Sequence, residues 1–390
     1  MRLPHELPVL AICMDFLSAE RGGVPVLVET LTEDLAEHFR IVLVTSDKEN
    51  ISGRFPRKNI LAHLTWDNAC MSREYCRTFA GQLVALGVEI AHFHGGNNAW
   101  KHRLWGYTPV SFLRRQGIRV FFTNHLTSSI WDGYGRTLGG SWFWRTLFFP
   151  VAWLGKLHFL QQLESEIAVS KHDLRLLERF YFPYKNRFGL IYHSRLSEVG
   201  AARAGQFREK IILSVGHIAF RKGQHVLVEA CGPLLKNFPD WKLQIVGSNA
   251  EPACWTMIED MIRCNGWQDG IQLLGERDDI IQLMERASIF VQPSIVEPLG
   301  LALQEALFHG CACIGTKTGG IPEMIDHGFN GFLVETFDVP ALRRAVEMLL
   351  EDTTKLQEFS REGRNTVLRK GMTRESMVKA YLSLYKSKRS

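Results

Sequence analysis

The chain alternates short apolar runs with longer segments whose apolar residues recur at helical spacing. The runs are five or six residues long and occupy 9–14, 41–45, 90–94, 119–123, 166–170, 210–215, 242–246, 270–274, 287–292 and 312–316. Continuous apolar runs of this length are typical of strands buried on both faces of a parallel sheet. Because a helix-like segment follows each run, the pattern predicts an α/β protein with two parallel sheets.

The alternation stops between 193 and 208, where small and polar residues predominate. Such a segment between two regular patterns is typical of a linker. A chain of 390 residues also exceeds the usual size of a single core. We therefore predict an N-terminal domain over 1–195, a C-terminal domain over 196–370, and a last helix over 371–390 that crosses back to the N-terminal domain.

Composition and the first apolar run indicate the compartment in which we expect the protein. The chain is 46% hydrophobic and 22% charged, as in ordinary globular proteins. Its first apolar run, 9–14, is too short for a signal peptide or a membrane span, so we expect a cytoplasmic protein. The eight cysteines form no Cys-x-x-Cys pair, and no histidine at zinc-like spacing accompanies Cys311 and Cys313. We therefore expect reduced core thiols and no metal site.

Positive charge is concentrated in one stretch. Residues 101–195 carry 14 basic and 5 acidic side chains, a balance of 14 − 5 = +9. Within it, residues 133–163 contain no acid but many aromatic and basic residues, namely Trp142, Phe143, Trp144, Phe148, Phe149, Trp153, Phe159, Arg136, Arg145 and Lys156. This composition predicts peripheral contact of 136–156 with an anionic membrane, on its inner face. A buried helical hairpin is the alternative, and Pro150 with the interspersed bases argues against a spanning helix.

Two carboxylates eight residues apart give the clearest chemical signal. Pro298 disfavours helical dihedrals at Glu297, so Glu297 should lie on the loop after the strand 287–292, with Glu305 in the following helix. Gly300 allows a close approach of backbone to a ligand. The unpaired N–H groups of a helix's first turn favour an anion. Carboxylates beside an anion site suggest a sugar nucleotide as ligand.

Two further turns follow strands in the same half. After the strand 210–215, Arg221 and Lys222 precede a helix, where cations and backbone donors together suit a diphosphate. After the strand 312–316, a glycine-rich turn contains Gly319 and Gly320. Because consecutive strands in such units often neighbour each other, we expect this turn beside the Glu297 loop.

The order of these motifs resembles that of family 4 glycosyltransferases, a retaining group with the GT-B fold and a Glu-x7-Glu motif. Residues 214–223 resemble the family's Gly-Arg-x4-Lys-Gly phosphate-binding turn, Gln-Pro-Ser at 292–294 precedes the first Glu, and Thr-Gly-Gly-Ile-Pro-Glu at 318–323 follows. In the first half, 20–24 resembles the family's glycine loop, and 190–194 resembles the run into the linker. The resemblance implies two Rossmann-like domains that face each other across a cleft.

The resemblance also implies roles for individual residues. Glu305 would bond the ribose hydroxyls, Glu297 a hydroxyl of the donor sugar, and Lys222 the diphosphate. The other donor-binding positions it implies are the backbone at Leu299, Gly300 and Leu301, the glycines Gly22 and Gly23, and Glu276 and Arg277 at the nucleobase. His217 stands where the family usually has arginine, so either His217 or Arg221 supplies that phosphate contact.

Histidines of the first half compete for a catalytic role. His125 resembles the family's histidine that follows a strand and lies near the donor sugar. His92 and His94 lie at the end of another predicted strand and share one of its faces. We favour His125, which gives a predicted catalytic set of His125, Glu297 and Lys222.

The implied activity is that of a retaining hexosyltransferase acting in polysaccharide biosynthesis. It would move a sugar from a nucleoside-diphosphate donor such as a UDP-sugar to a lipid-linked or glycan acceptor, by a front-face reaction without metal or cofactor. The alternatives are a sugar-nucleotide epimerase on the same scaffold, a glycoside hydrolase with paired acids, and a non-catalytic protein that binds sugars or a membrane surface. Nucleic acid is not an expected partner.

Overall fold

The computed structural model describes residues 7–14, 23–45, 58–67, 72–95, 107–125, 142–197 and 208–387, and of 142–148 and 152 the backbone only. Arg136 and Gly22 therefore lie outside the described residues, as does the side chain of Arg145. The chain divides into two compact units. The N-terminal unit comprises Met1–Tyr192 and Met377–Ser390, and the C-terminal unit comprises His193–Ser376.

The N-terminal unit contains a parallel sheet in the order β3-β2-β1-β4-β5-β6-β7. Its strands are β1 (Val9–Met14), β2 (Arg40–Thr45), β3 (Ile60–Thr65), β4 (Val88–Gly95), β5 (Arg119–Asn124), β6 (Ser165–Ala168) and β7 (Phe188–Leu190). Its helices are α1 (Gly23–Leu35), α2 (Arg73–Ala85), α3 (Pro109–Arg115), α4 (Trp142–Gln162) and α5 (Lys171–Phe180), and a 3-10 segment follows at Phe182–Arg187.

The C-terminal unit contains a second parallel sheet, in the order β10-β9-β8-β11-β12-β13. Its strands are β8 (Glu209–Val215), β9 (Lys242–Val246), β10 (Ile271–Gly275), β11 (Ala287–Gln292), β12 (Ala312–Thr316) and β13 (Gly331–Val334). Its helices are α6 (Gln224–Asn237), α7 (Pro252–Cys264), α8 (Ile280–Arg286), α9 (Leu301–Phe308), α10 (Val339–Glu351) and α11 (Thr353–Arg369), with 3-10 turns at Phe220–Lys222 and Ile321–Glu323. The last helix, α12 (Arg374–Lys386), belongs to the N-terminal unit from Met377 onward.

The predicted α/β class with two parallel sheets is confirmed. Each of the ten apolar runs lies on a strand, with ends that differ by at most two residues. The residues 326–334 predict a turn into a short strand, which is β13, whereas the pattern does not predict β3 and β7, the edge strands of the first sheet. Both are only partly buried, so neither carries the continuous apolar run that marks a central strand.

In both sheets the strand order reverses beside the first strand of the unit. The reversal falls between β1 and β4 in one sheet and between β8 and β11 in the other. Loops at the carboxyl ends of two such strands diverge to opposite sides, and ligands of open parallel sheets bind at this point. The loops after β8 and β11 are those that carry Lys222 and Glu297.

Lys156 does not face a membrane, contrary to the prediction for 136–156. Its side chain is buried, its ammonium donates a short hydrogen bond to the buried carboxylate of Glu166, and it lies over the ring of Phe159 at 5.4 Å. Burial lowers the pKa of Lys156, and Glu166 partly opposes that shift. Lys156 therefore lies among apolar side chains and forms an ion pair with one buried carboxylate. Composition alone does not indicate such a buried pair. No helix among the described residues is long and apolar enough to cross a bilayer.

The Lys156–Glu166 pair predicts a difference between single and double variants. Lys156→Met leaves the Glu166 carboxylate buried without its cation, and we expect the free energy of unfolding to fall by about 3–5 kcal/mol. Lys156→Met with Glu166→Gln removes both charges and should recover most of that loss. Urea denaturation measures both values. Equal destabilisation by the single and double variants would contradict the pairing.

Candidate functional site

The junction between β11 and α9 holds both predicted carboxylates. Glu297 lies on the loop 293–300, and Glu305 lies in the second turn of α9. Both side chains are largely buried. Gly300 precedes the helix with φ +95°, a conformation that side-chain-bearing residues rarely adopt. The loop therefore turns directly into the helix. The first-turn N–H groups of α9 follow Glu297 within a few residues of the chain.

The carboxylate of Glu297 is the centre of a hydrogen-bonded group. Its Oε2 accepts from Lys222 Nζ at 2.6 Å, from Ser294 Oγ at 3.0 Å and from Gln292 Nε2 at 3.2 Å. Lys222 comes from the 3-10 turn after β8, which ends at Gly223 with φ +70°. Two of the predicted catalytic residues thus form one ion pair that joins the loops after β8 and β11.

Glu305 has a cationic partner that the sequence analysis missed. Arg195 Nε donates to Glu305 Oε1 at 2.9 Å, and Arg195 Nη2 donates to the same oxygen. The neighbouring Gln304 donates its amide to the carbonyl oxygen of His193 at 3.1 Å. Burial lowers the pKa of His193 to about 3, so its ring is neutral near pH 7. The segment 193–195 is therefore fixed against α9 within the C-terminal unit.

The glycine turn after β12 packs against the backbone of the Glu297 loop. A Cβ on Gly319, whose φ is +52°, would lie 1.5 Å from the carbonyl oxygen of Glu297. Gly320 N–H donates to the carbonyl oxygen of Pro298 at 3.1 Å. Thr318 Oγ1 donates to the carbonyl oxygen of Ile295 at 3.0 Å. Loops from both neighbouring strands therefore fix the position of Glu297.

The alternative between His217 and Arg221 stays open, although the two residues have different surroundings. His217 Nδ1 is 2.7 Å from Ser248 Oγ on the loop after β9. The carbonyl oxygen of Arg221 accepts from the backbone N–H groups of Ile295 at 2.8 Å and Val296 at 3.2 Å. Arg221 thus belongs to the same backbone framework as Glu297, whereas His217 faces the β9 loop.

The remaining predicted donor-binding residues are dispersed. Leu299 is buried and Leu301 is the first residue of α9, so the backbone at both adjoins the Glu297 loop. Glu276 and Arg277 are exposed after β10, and Arg277 Nη2 donates to Asp279 Oδ2 at 2.7 Å. Gly23 begins α1 in the N-terminal unit.

The competing histidines of the N-terminal unit form one stack. The rings of His92 and His94 are 4.3 Å apart with an interplanar angle of 17°, and those of His94 and His125 are 5.4 Å apart. His94 Nδ1 lies 3.2 Å from His125 Nε2, within hydrogen-bonding distance. His125 N–H also donates to the carbonyl oxygen of Gly95 at 3.0 Å. We call His92, His94 and His125 the histidine column.

Known glycosyltransferases are similar in sequence to the C-terminal half of the chain. Residues 203–366 match the family model "Glycosyl transferases group 1". The N-acetyl-alpha-D-glucosaminyl L-malate synthase of Bacillus anthracis is 30% identical over 179 residues, which is 45% of this chain and 45% of that protein. The chain thus matches less than half the length of this relative. Residues 203–366 are therefore similar to group 1 glycosyltransferases.

Solved structures match nearly the whole chain. A glycosyltransferase of Rickettsia africae ESF-5 has a TM-score of 0.75 at 18% identity and covers 97% of this chain and 98% of its own. Anabaena HepE in complex with UDP and glucose has a TM-score of 0.74 at 15% identity and covers 98% and 100%. At these identities the likeness establishes the fold, which is GT-B.

The contact between Gly319 and Glu297 predicts an effect of a single methyl group. Gly266 is a matched control, because its φ is +66° and a Cβ there would meet nothing within 4 Å. Gly266→Ala should lower the free energy of unfolding by about 1 kcal/mol through backbone strain alone. Gly319→Ala adds a collision with backbone and should cost at least about 2 kcal/mol more. Equal losses in urea denaturation would show that the two loops are not in contact.

Proposed function

We propose that this protein is a retaining glycosyltransferase that moves a sugar from a nucleoside-diphosphate donor to a glycan or lipid-linked acceptor. The observation that carries the proposal is the largely buried Lys222–Glu297 pair at the point where strand order reverses in the second sheet. The match of residues 203–366 to the group 1 glycosyltransferase model supports it. The nucleotide sugar therefore belongs to the C-terminal unit.

The charges of this site suit a diphosphate that carries a sugar. Lys222 and the first-turn N–H groups of α9 supply a cation and fixed dipoles for the phosphates. Glu297 accepts a hydroxyl of the sugar, and Glu305 accepts the hydroxyls of the ribose. Arg195 joins the donor-binding residues, because its guanidinium fixes the orientation of the Glu305 carboxylate that accepts the ribose hydroxyls.

The reaction follows from where negative charge develops. As the bond between the anomeric carbon and the phosphate oxygen breaks, the electron pair goes to the diphosphate, which Lys222 and the helix dipole stabilise. The acceptor oxygen bonds to the same face of the anomeric carbon, and its proton goes to the departing phosphate oxygen. Configuration is thereby retained without a protein nucleophile, metal or cofactor. His125 is the residue of the N-terminal unit that we assign to the donor sugar.

A uridine nucleotide is the donor class we propose to test first. Anabaena HepE was solved with UDP and glucose and shares the fold of this chain. The panel is therefore UDP-glucose, UDP-galactose, UDP-N-acetylglucosamine and GDP-mannose, with free UDP and free glucose beside them.

Thermal stabilisation by this panel tests the donor site. A donor at about 100 times its dissociation constant should stabilise the wild-type protein by about 2.7 kcal/mol. Lys222→Met and Glu305→Gln should each lose most of that stabilisation, because each removes one group that holds the donor. Lys317→Met is the control, since Lys317 pairs with Glu335 at 2.7 Å on the exposed surface of the same unit.

Two outcomes would contradict the assignment. Undiminished stabilisation of both Lys222→Met and Glu305→Gln would remove the donor site from these loops. An epimerised nucleotide sugar, formed without any acceptor, would replace the transferase by an epimerase. Anomer-resolved NMR of the product distinguishes retention from inversion in the same reaction.

We also propose peripheral contact with an anionic membrane, through a surface that excludes Lys156. On α4, Val151 is 42% exposed and Leu154 is 59% exposed. The adjoining 3-10 segment presents Phe182, which is 68% exposed, and the exposed Lys185. Apolar side chains with a nearby cation are suited to the interface of an anionic bilayer.

Vesicle flotation tests this surface. Wild-type protein should float with vesicles that contain phosphatidylglycerol, and added salt should weaken the association. Replacing Leu154 and Phe182 together by serine should remove most of the floated protein. Ile281→Ser is the control, because Ile281 is comparably exposed in the C-terminal unit. Absence of flotation in the wild-type protein would refute membrane contact and leave the transferase proposal intact.

A further inference from the structure

The last helix, α12, contacts His92, the ring at one end of the histidine column. The hydroxyl of Tyr385 on α12 lies 2.5 Å from His92 Nδ1. His92 Nε2 lies 2.8 Å from Thr123 Oγ1, which in turn lies 3.1 Å from the hydroxyl of Tyr381. All of these side chains are buried. A single helix therefore provides two hydroxyl groups to one polar network inside the N-terminal unit.

Tyr385 is held in place by both its backbone and its ring. Arg119 Nη1 donates to the carbonyl oxygen of Tyr385 at 2.6 Å, and Arg119 Nη2 donates to that of Ser387 at 2.6 Å. The ring of Tyr385 packs edge-on against Phe39 at 5.7 Å and Phe121 at 5.4 Å. The hydroxyl position is thus fixed by strand β5 and by the core beneath it.

These contacts decide how the His92 ring is oriented. Both ring nitrogens of His92 face hydroxyl groups, and a neutral imidazole needs one donor and one acceptor partner. Burial raises the pKa of the Tyr385 hydroxyl well above its ordinary value, so this group keeps its proton near pH 7. The Tyr385 hydroxyl and His92 Nδ1 share one hydrogen bond, so the group that donates in it determines which nitrogen of His92 carries the proton.

The arrangement continues from His92 to His125. The His92 ring lies nearly parallel to that of His94 at 4.3 Å, so a rotation of His92 would displace its neighbour. His94 Nδ1 and His125 Nε2 are 3.2 Å apart, and one of these nitrogens must donate while the other accepts. The tautomer of His125 is consequently linked to that of His94.

We propose that Tyr385 is a positioning residue for His125, acting through His92 and His94. This inference rests on the proposed function, in which His125 acts on the donor sugar. The hydroxyl of Tyr385 fixes the His92 ring, and stacking on that ring fixes the orientation of His94. The contact between His94 Nδ1 and His125 Nε2 then fixes the orientation of His125. The C-terminal helix thereby contributes to the reaction without contacting the substrate.

Histidine ring NMR and steady-state kinetics on the full-length protein test this role. Tyr385→Phe keeps the packed ring and removes only the hydroxyl. With selectively labelled histidines, the tautomer-sensitive ring ¹⁵N shifts of His92, and also those of His94 and His125, should change. We expect kcat to fall about tenfold, the effect of one interaction of ordinary hydrogen-bond strength, with the donor KM changed less than about twofold.

Two further variants complete the design. Tyr75→Phe is the matched control, because the Tyr75 hydroxyl accepts from Asp67 N–H at 2.8 Å in the same unit but away from the histidines. Its histidine spectrum and kcat should be those of the wild-type protein. Thr123→Val removes the second hydroxyl partner of His92 and should alter the column independently, even if Tyr385→Phe fails to fold.

The outcomes separate this inference from the proposed function. Unchanged His94 and His125 shifts in folded Tyr385→Phe or Thr123→Val would overturn the positioning role, whatever the rate. Altered shifts in a protein whose wild type transfers no sugar would support the coupling within the column and refute the proposed activity. Altered shifts with a lowered kcat support both.

Discussion

The largely buried ion pair between Lys222 and Glu297 is the interaction on which the arrangement of the candidate site depends. It joins the loops that follow β8 and β11, the two strands between which the strand order of the sheet reverses. Backbone bonds from Ile295 and Val296 to the carbonyl oxygen of Arg221 join the same loops. The loops of the sheet therefore hold a cation and an anion in fixed positions, which is the preorganisation that the proposed donor site requires.

Glycine makes this closeness feasible. A Cβ on Gly223 would lie 2.0 Å from the carbonyl oxygen of Pro293, and one on Gly247 would lie 1.9 Å from that of Gly216. With the Gly319 turn, these contacts place successive loops of the sheet edge backbone against backbone. These glycines allow the backbones of neighbouring loops to come into contact. The polar side chains on those loops are thereby held in fixed positions.

The sequence predicted most of what depends on local pattern. Buried strands appear as continuous apolar runs, and Pro298 suffices to separate Glu297 on a loop from Glu305 on a helix. Partners distant in the chain were not predictable in this way. Arg195 meets Glu305 across 110 residues, from a segment interpreted as linker.

Burial of polar groups was the second source of error. Lys156 was assigned to a surface because its helix is basic and aromatic, whereas the carboxylate that neutralises it lies on β6. His94 and His125 were treated as competitors, yet the pairing of β4 with β5 brings them into one stack. Both cases turn on register between elements, which composition does not encode.

A crystal structure with a bound nucleoside diphosphate would show whether the loops after β8 and β11 bind the donor. We expect phosphate oxygens at hydrogen-bonding distance, about 3 Å, from Lys222 Nζ and from first-turn N–H groups of α9, with the ribose on Glu305. A diphosphate bound to other loops, with Lys222 and Glu305 contacting no part of it, would show that these loops are not the donor site.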